Sequence, residues 1–454
     1  MEFKSDEAAA WIMAQTFVAG KDFPCVGLVS SRGIENFPLF IYLLGIPSLF
    51  SFWPVASVAF IAVLDSLMLF PLYTATRRLW NNPTANITCL LYALSPAAIF
   101  FSRKIWAQDL MPVFGIGLFY LMERLTAPGD NPATKRGIPF LFGLLCATAP
   151  QVHLSGLFLI IASVPILAFF QRTRNNLLWI IIGLTAGLIF SLPWWGCQLH
   201  NPAAFLAKLH HAVPRQTALQ PLKTALFFLQ QTTDAGFSWS LEKVYFPFLC
   251  MNPGYIPLIY TLLATGAIGI IFCLGQGIYT WKDRNARRKL TITLCFPIIA
   301  VGGLLFSHTP IYPHYFSAFY PYPFLFAALT LGTLFQGIQR LPIPWRRAFY
   351  FCFMFALCAM AFLQIAYVLR FIEILNKYGG IDADYGTTYA RQMQRVENGL
   401  PAECRKSPRQ AYLYTIQSVV RRAYGLSEAE QAPQQVALFE EIISDKAGTA
   451  SKVK

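Results

Sequence analysis

The 454-residue chain is 56% hydrophobic, and only 13% of its residues are charged. A soluble domain carries about 25% charged residues, so these values exclude an ordinary soluble domain and, with repeated apolar runs, indicate a protein that crosses the membrane several times. The formal net charge of +14 would suit a nucleic-acid partner. The lysines and arginines cluster between the apolar runs, however, so we interpret the charge as a signal of membrane topology and predict no nucleic-acid partner.

Residues 1–53 are predicted to form a loop outside the cytoplasm with two helices at the membrane interface. The stretch SDEAAAWIMAQTFVAG favours a helix that Ser5 caps and Gly20 ends. A second apolar helix follows in NFPLFIYLLGIPSLFSF, which proline and glycine interrupt. A full membrane span in this second stretch is the lower-ranked alternative, because it would disrupt the alternation of basic loops that follows.

Ten apolar stretches are candidates for membrane-spanning helices, which need about 17–25 residues each. Basic residues follow every odd-numbered stretch, for example Arg77 and Arg78 after the first and WKDRNARRK after the seventh. Since cytoplasmic loops collect lysine and arginine, this alternation places those loops in the cytoplasm. The predicted spans cover residues 54–76, 84–102, 109–125, 137–151, 153–171, 177–196, 256–280, 289–307, 316–338 and 347–371.

The predicted fold is therefore an all-α polytopic membrane protein. Residues 54–375 form a transmembrane bundle with a long external loop at 197–255, and residues 376–454 form a small external C-terminal region. Ten spans and an outward C-terminus imply an outward N-terminus, yet residues 1–53 hold no segment that could take it across the membrane, and the start is not a signal peptide. We therefore expect that an N-terminal span is missing from this sequence.

The ten cysteines provide little information at this stage. Six of them lie inside apolar runs, where a free cysteine acts as a small hydrophobic residue. No CxxC motif occurs, which argues against a redox or metal-binding role.

Three acidic residues fall on the predicted outer side. Asp6 and Glu7 stand in the first turn of the first helix, and Asp109 opens the third span after SRKIWAQ. The ordinary interpretation is an interaction with helix dipoles, or for Asp109 an ion pair with a neighbouring basic residue. The functional interpretation is a general base at the membrane surface, with Asp109 and the N-terminal acids facing one cavity. The sequence leaves both interpretations open.

Arg103, Lys104, His314 and Tyr315 are candidates for binding an anionic ligand such as a lipid-linked phosphate. The first two lie on the predicted outer side, against the positive-inside trend. They would either extend to lipid headgroups or bind phosphate, which suits the planar guanidinium of arginine. His314 and Tyr315 lie in FSHTPIYPHYFSAFYPYP, where membrane-interface anchoring is the alternative to phosphate binding.

No cofactor follows from the sequence. The His210–His211 pair and His153 could suggest zinc, but their spacing is not that of a metal site. We therefore predict no metal-ligand set and leave open whether a divalent metal takes part. The chain also contains neither a P-loop nor a G-x-S-x-G motif.

Several stretches resemble the membrane glycosyltransferases with the GT-C fold. The resemblance is nearest to the bacterial branch related to protein O-mannosyltransferases and the lipid A aminoarabinose transferase. SDEAAAWIMAQTFVAGKDF with GIENFPLFIYLL is similar to the family's first external loop, and SPAAIFFSRKIWAQDLMP to its next external element. HYFSAFYPYPFL and DADYGTTY resemble its late motif and external tail. Each motif is short, and together they span most of residues 5–390 in order.

The resemblance implies a transferase of the cell envelope, in the inner (plasma) membrane with its active site facing the periplasm. Such an enzyme moves a sugar from a polyprenyl-phosphate donor to a lipid, glycan or protein acceptor. By position, Asp6 with Glu7 beside it would act as the base or position the acceptor, and Asp109 would be the second acid. Arg103 lies in the matching S-R element, and His314 with Tyr315 would lie near the donor phosphate. A transporter or flippase for a lipid-linked sugar is the alternative, which the almost uncharged span interiors disfavour.

Overall fold

A computed structural model describes residues 5–30, 34–127, 136–170, 176–212, 220–237, 241, 245–280, 282–306 and 311–378. These residues form a helical bundle whose only β-type pairing is an isolated antiparallel bridge between Val29 and Glu35. The predicted all-α architecture is confirmed for this part of the chain. The C-terminal region proposed for residues 376–454 lies almost wholly outside the described residues.

Most of the described residues are helical. The α-helices are α1 Ser5–Val18, α2 Leu39–Phe50, α3 Pro54–Leu67, α4 Leu69–Leu79, α5 Asn82–Leu94, α6 Pro96–Phe101, α7 Met111–Thr126, α8 Gly137–Val152, α9 Gly156–Phe169, α10 Leu177–Leu188, α11 Leu192–His200, α12 Pro202–Ala212, α13 Pro221–Leu229, α14 Tyr245–Cys250, α15 Tyr255–Thr280, α16 Arg284–Leu290, α17 Phe296–Phe306, α18 Tyr322–Gln339 and α19 Ile343–Tyr378. Short 3₁₀ turns cover Ala107–Leu110, Ile189–Ser191, Gln230–Thr232 and Pro313–Phe319, and a π-helical turn covers Thr291–Cys295.

Five helical stretches in the described part of the chain are long and apolar enough to cross a membrane. They are Pro54–Leu79, Leu177–His200, Tyr255–Gly277, Arg284–Phe306 and Ile343–Asn376, and a sixth arises if the bent pair Pro313–Phe319 and Tyr322–Gln339 is one span. All six coincide with predicted spans. The remaining four predicted spans contain helices of at most 16 residues, so the count of ten stays a prediction.

The first helix forms where the sequence predicts it and is buried within the protein, while its place at the membrane interface stays a prediction. Its residues Ala8, Ala10 and Trp11 are fully buried, and it packs against α2. Gly20 follows with a φ of +69°, the left-handed conformation that glycine adopts most easily. With 12 residues, α2 is shorter than the ~17–25 residues that a span requires, so a full span there stays the lower-ranked alternative.

Close helix packing depends on glycine between α8 and α10. A Cβ added to Gly143 would clash with the carbonyl oxygen of Ile180, and one added to Gly183 would clash with that of Phe140. Small residues let membrane helices approach to backbone contact, where dispersion forces and weak hydrogen bonds stabilise them. This packing holds the C-terminal end of α8, which borders the site, in a fixed position.

A buried ion pair links α7 to α16 at the end of the bundle that carries basic loops. Glu123 is only 1% exposed and accepts a hydrogen bond of 2.9 Å from Arg288, while Arg78 lies 3.7 Å away. Two guanidinium groups therefore surround one carboxylate, and they satisfy a charge that would otherwise be costly to bury.

Candidate active site

A cavity of about 660 Å³ opens beside the N-terminal half of the chain, a volume typical of small-molecule sites. Five segments supply most of its walls: residues 27–30 and 36–41 of the first loop, 106–108, 152–158 and 312–315. The predicted outer segments thus converge on one cavity. Among the predicted site residues, Asp6, His314 and Tyr315 line it.

The two N-terminal acids face different environments. Asp6 is exposed and lines the cavity, whereas Glu7 is 3% exposed and points into the protein. Consecutive helical residues are about 100° apart around the axis, so the two side chains leave α1 in different directions. The structure therefore distinguishes the two acids that the sequence treated as a pair.

Asp109 lies directly beneath the cavity wall. It sits in the 3₁₀ turn that follows Trp106, and its side chain is completely buried. Burial raises the pKa of Asp109, the ammonium of Lys104 lowers it, and the charges of Asp65 and Glu7 raise it further. The Trp106 backbone N–H also lowers this pKa, although neither carboxylate oxygen makes a hydrogen bond of normal geometry to a described residue.

Lys104 is buried with Asp109 and does not line the cavity. Its ammonium lies 4.1 Å from the ring centre of Phe100 and 4.5 Å from that of Trp106, which are favourable cation–π distances. Because Trp106 lines the cavity and Lys104 does not, the indole separates the ammonium from it. Arg103 is partly buried and is not among the cavity-lining residues either. Their contact with a phosphate stays a prediction.

Aromatic rings and histidines form the wall around residue 314. The His314 ring lies 4.5 Å from Tyr315, and 5.7 Å from both Trp106 and Tyr312. His153, from the end of α8, lies 5.8 Å from Tyr315. These rings combine flat surfaces, against which sugars pack well, with N–H and O–H groups that donate hydrogen bonds.

Hydrogen bonds to backbone carbonyls, and one close helix contact, hold this aromatic wall in place. Ser317 donates a hydrogen bond of 2.8 Å to the carbonyl of Gln108, which ties the 313–319 turn to the turn that carries Asp109. Gln231 donates one of 3.0 Å to the carbonyl of Pro313. A Cβ on Gly115 would clash with the carbonyls of Ala318 and Tyr320, so this glycine allows α7 to contact the same turn.

His153 is neutral at ordinary pH. Burial lowers its pKa to about 4, and its Nδ1 atom lies 2.8 Å from the hydroxyl of Ser155. The backbone N–H of Ser155 also donates to this nitrogen. Within the described residues, no group of three histidine, cysteine or acidic side chains is arranged to hold a metal ion. The side chains of His210 and His211 lie outside that description.

A disulfide bond that the sequence did not predict lies next to the cavity-lining residues 27–30. Cys25 pairs with Cys197, and the indole of Trp194 donates a hydrogen bond of 3.0 Å to the carbonyl of Glu35. The Glu35 carboxylate pairs with Lys208 of α12. The first loop is therefore held against residues 194–208. The expectation that the cysteines provide little information is wrong for this pair.

The fold resembles that of solved membrane glycosyltransferases. ArnT from Cupriavidus metallidurans in the apo state has a TM-score of 0.54 and 14% sequence identity, with 90% of this chain and 79% of that chain covered. The chain has the GT-C fold. ArnT from the same bacterium bound to undecaprenyl phosphate matches with a TM-score of 0.48 and 16% identity, over 92% and 73% of the two chains.

An archaeal GT-C protein also matches. Oligosaccharyltransferase AglB from Archaeoglobus fulgidus, in complex with an inhibitory peptide and a dolichol-phosphate, has a TM-score of 0.50 and 14% identity. The match covers 92% of the present chain, but it spans only 56% of the length of AglB. No protein-family model matches the chain, and no curated protein matches it by sequence.

One buried carboxyl in this GT-C bundle was missed by the sequence analysis. Asp65 lies inside the predicted first span, is 6% exposed, and acts electrostatically on Asp109. The expectation of almost uncharged span interiors is therefore wrong at this position. A single acid within an apolar run is itself a recognisable signal, because an ionisable residue in a membrane span is costly unless it has a function.

Proposed function

We propose that this protein is an integral membrane glycosyltransferase that moves a sugar from a polyprenyl-phosphate donor to an acceptor outside the cytoplasm. The main observation is the cavity, in which Asp6 supplies a carboxylate while His314 and Tyr315 supply groups able to donate hydrogen bonds. The shared fold with ArnT and AglB supports a transferase. The dolichol-phosphate bound to AglB supports a lipid phosphate as the carrier of the sugar.

The reaction assigns separate roles to the cavity residues. An acceptor hydroxyl oxygen attacks the anomeric carbon of the sugar, and the bond from that carbon to the phosphate oxygen breaks. Asp6 takes the proton of the acceptor hydroxyl as a general base. The bonding electrons leave with the phosphate on the polyprenol, and His314 and Tyr315 stabilise that developing charge by hydrogen bonding.

The buried residues act from beneath the cavity. Lys104 and Asp109 lie behind Trp106, so their charges set the electrostatic potential of the site without contact to the sugar. Arg103 would reach the donor phosphate from the rim, and Glu7 would support the first turn of α1. The acceptor is a lipid, a glycan or a protein, and the enzyme functions among membrane lipids.

The cysteine pair supports an active site that faces the periplasm. Disulfide bonds persist in oxidising compartments and are rare in the cytosol, and Cys25–Cys197 joins the loop that walls the cavity to α11. The positive-inside rule assigns the basic residues Arg77, Arg78 and WKDRNARRK to the cytoplasmic side, opposite the cavity in this proposal. We therefore place the protein in the inner membrane with about ten spans and the cavity outward.

A flippase for a lipid-linked sugar is the second candidate. Asp65 is the observation that favours it, because transporters place ionisable groups within their spans. Asp65 nevertheless acts on Asp109, next to the cavity wall, and so belongs to the same group of side chains. The transferase assigns a role to the exposed carboxylate of Asp6 and to the buried Asp109.

A screen of donor lipids tests the proposal. Purified full-length protein in vesicles would receive labelled polyprenyl-phosphate sugars and extracts of envelope lipids, glycans and proteins, with product masses as the readout. We expect one donor to yield a product heavier by one sugar, with release of polyprenyl phosphate. Movement of labelled donor across the vesicle membrane without any transfer would support the flippase and overturn the proposal.

A further inference from the structure

The turn between α8 and α9 places His153 on the wall of the cavity, although the proposed reaction assigns it no role. His153 follows Val152, the last residue of α8, and both residues line the cavity. Its N–H donates a hydrogen bond of 3.1 Å to the carbonyl of Ala149, and its own carbonyl accepts one of 2.9 Å from Gly156. A Cβ on Gly156 would clash with the backbone of Ala149, so the turn is tight. The imidazole therefore projects from a well-fixed backbone.

Ser155 determines which ring nitrogen of His153 carries the proton. The backbone N–H of Ser155 donates a hydrogen bond of 3.2 Å to Nδ1, and its hydroxyl lies 2.8 Å from the same atom. Ser155 occupies the N-cap position of α9, where a serine hydroxyl commonly accepts a hydrogen bond from the helix backbone, but here it makes no such bond. Because a backbone N–H can only donate, Nδ1 is an acceptor, and the neutral ring carries its proton on Nε2.

The Nε2–H group of His153 is left to bind a ligand. Burial lowers the pKa of His153 to about 4, so the imidazole is neutral at ordinary pH and Nε2 is a hydrogen-bond donor. No residue in the described part of the chain accepts a hydrogen bond from Nε2. The side chain is partly exposed and lines the cavity. A precisely placed polar group on a largely apolar cavity wall is the usual means of ligand recognition.

The neighbours of His153 indicate which part of a substrate it meets. The ring of Tyr315 lies 5.8 Å from the imidazole, and the same tyrosine lies 4.5 Å from the ring of His314. In the proposed reaction Tyr315 and His314 contact the donor phosphate, and the sugar is joined directly to that phosphate. His153 therefore borders the place of the sugar. A neutral N–H with a fixed direction suits a sugar hydroxyl oxygen, whereas contact with a phosphate would favour the imidazolium.

We propose that His153 is a specificity-determining residue that donates a hydrogen bond from Nε2–H to a hydroxyl oxygen of the donor sugar. Ser155 is the positioning residue that sets the tautomer. This inference rests on the proposed function, because it takes the cavity as the site of the lipid-linked sugar. It separates recognition of the sugar by His153 from stabilisation of the phosphate by His314 and Tyr315, and no covalent bond forms or breaks at His153.

Nitrogen NMR tests the tautomer without any substrate. The full-length protein, isotopically labelled at the histidine nitrogens alone, would be measured in micelles at neutral pH. The signals of His153 are those that disappear in His153→Gln. We expect an unprotonated Nδ1 and a protonated Nε2, and Ser155→Ala should keep this tautomer because it keeps the backbone N–H. A proton on Nδ1, or an imidazolium at neutral pH, would overturn the proposal.

The binding of two lipid probes tests the contact with the sugar. One is undecaprenyl phosphate, and the other is undecaprenyl phosphate that carries the hexose or pentose bound most tightly by wild type. His153→Phe keeps a flat ring without a donor, so the Kd of the sugar-carrying lipid should rise about 3- to 10-fold, the effect of one neutral hydrogen bond. The Kd of undecaprenyl phosphate should not change.

Two further variants and a set of analogues keep the test decisive. His153→Gln retains an N–H donor and should bind the sugar-carrying lipid more tightly than His153→Phe. His200→Gln changes an exposed histidine outside the cavity and should bind as wild type does. Among analogues that each lack one sugar hydroxyl, one should bind wild type about 3- to 10-fold more weakly than the parent lipid. His153→Phe should bind this analogue and the parent equally. If no analogue behaves in this way, the proposal is wrong.

Binding and transfer are measured separately, so the two proposals fail in different ways. If His153→Phe weakens the binding of both lipids equally, His153 contacts the phosphate and the sugar contact is refuted. If it weakens neither, the imidazole only packs against Tyr315, and the sugar contact is again refuted. A protein that binds the sugar-carrying lipid through His153 but transfers no sugar loses the proposed function and keeps the contact. If wild type binds no sugar-carrying lipid, both proposals fail.

Discussion

Substitution of Glu123 by glutamine should destabilise the bundle strongly, although this residue is far from the cavity wall in sequence and lines no part of it. The carboxylate is 1% exposed, and Arg288, at 11% exposure, lies 2.9 Å away. Glutamine cannot neutralise the guanidinium, so Glu123→Gln leaves a buried cation without a counterion.

The magnitude follows from the geometry. Two unit charges 2.9 Å apart attract by about 6 kcal/mol at an effective dielectric constant of ~20, and desolvation of both groups offsets much of this. Removal of one partner of such a buried pair costs about 3–5 kcal/mol. Arg78 provides the matched control: it lies 3.7 Å from the same carboxylate and is 41% exposed, so Arg78→Gln should cost about 0–1 kcal/mol.

The free energy of unfolding, measured by titration with a denaturing detergent from mild micelles, checks this difference. The free energy of unfolding of Glu123→Gln and of Arg288→Gln should be well below that of Arg78→Gln. If Glu123→Gln and Arg78→Gln lose the same stability, the pair is solvated and the argument from burial is refuted.

Three other predictions follow from the packing and the titration of the site. His153 has a lower pKa in the folded protein (about 4) than in the unfolded chain (about 6.5), so only the unfolded state gains a proton as the pH falls between these values. The free energy of unfolding should therefore drop by about 2 kcal/mol from neutral pH to about pH 5. His153→Gln should lack this drop in detergent unfolding titrations. An unchanged pH dependence in the variant would contradict the lowered pKa of His153. Gly183→Ala should cost about 1–3 kcal/mol in the same assay, because its Cβ clashes with the Phe140 carbonyl, and a neutral effect would show that the helices separate easily. The Cys25→Ser/Cys197→Ser double variant should increase the rate at which proteases cut the first loop, and reduction should do the same to wild type but not to the variant.

Much of the helix pattern could be predicted because the bilayer imposes a length and a polarity on every span. The sequence signal at Gly20 predicts the end of α1 closely, because the helix ends at Val18 and Gly20 follows with a positive φ. The burial of α1 could not be predicted, because its apolar face suits a membrane interface as well as a protein interior. For the same reason, the sequence could not predict whether Asp6 or Glu7 faces the cavity. That depends on the rotation of the helix about its axis.

The interactions that build the site join residues that are distant in sequence. Cys25 and Cys197 are separated by 172 positions, and no local pattern links them. Asp65 could not be predicted as a site residue because a hydropathy window averages a single acid with its apolar neighbours. Its proximity to the turn that carries Asp109 follows only from the packing of the helices. The position of Lys104 behind Trp106 likewise depends on packing that a list of outer basic residues does not contain.

The most direct test of the central claim is the rate of sugar transfer by Asp6→Asn, measured as released polyprenyl phosphate with the donor that the wild-type protein uses. Removal of a general base should lower kcat by about 10²- to 10⁴-fold, while Asp22→Asn, another exposed acid of the first loop, should transfer at the wild-type rate. Transfer by Asp6→Asn at the wild-type rate would contradict the assignment of this cavity as the catalytic site.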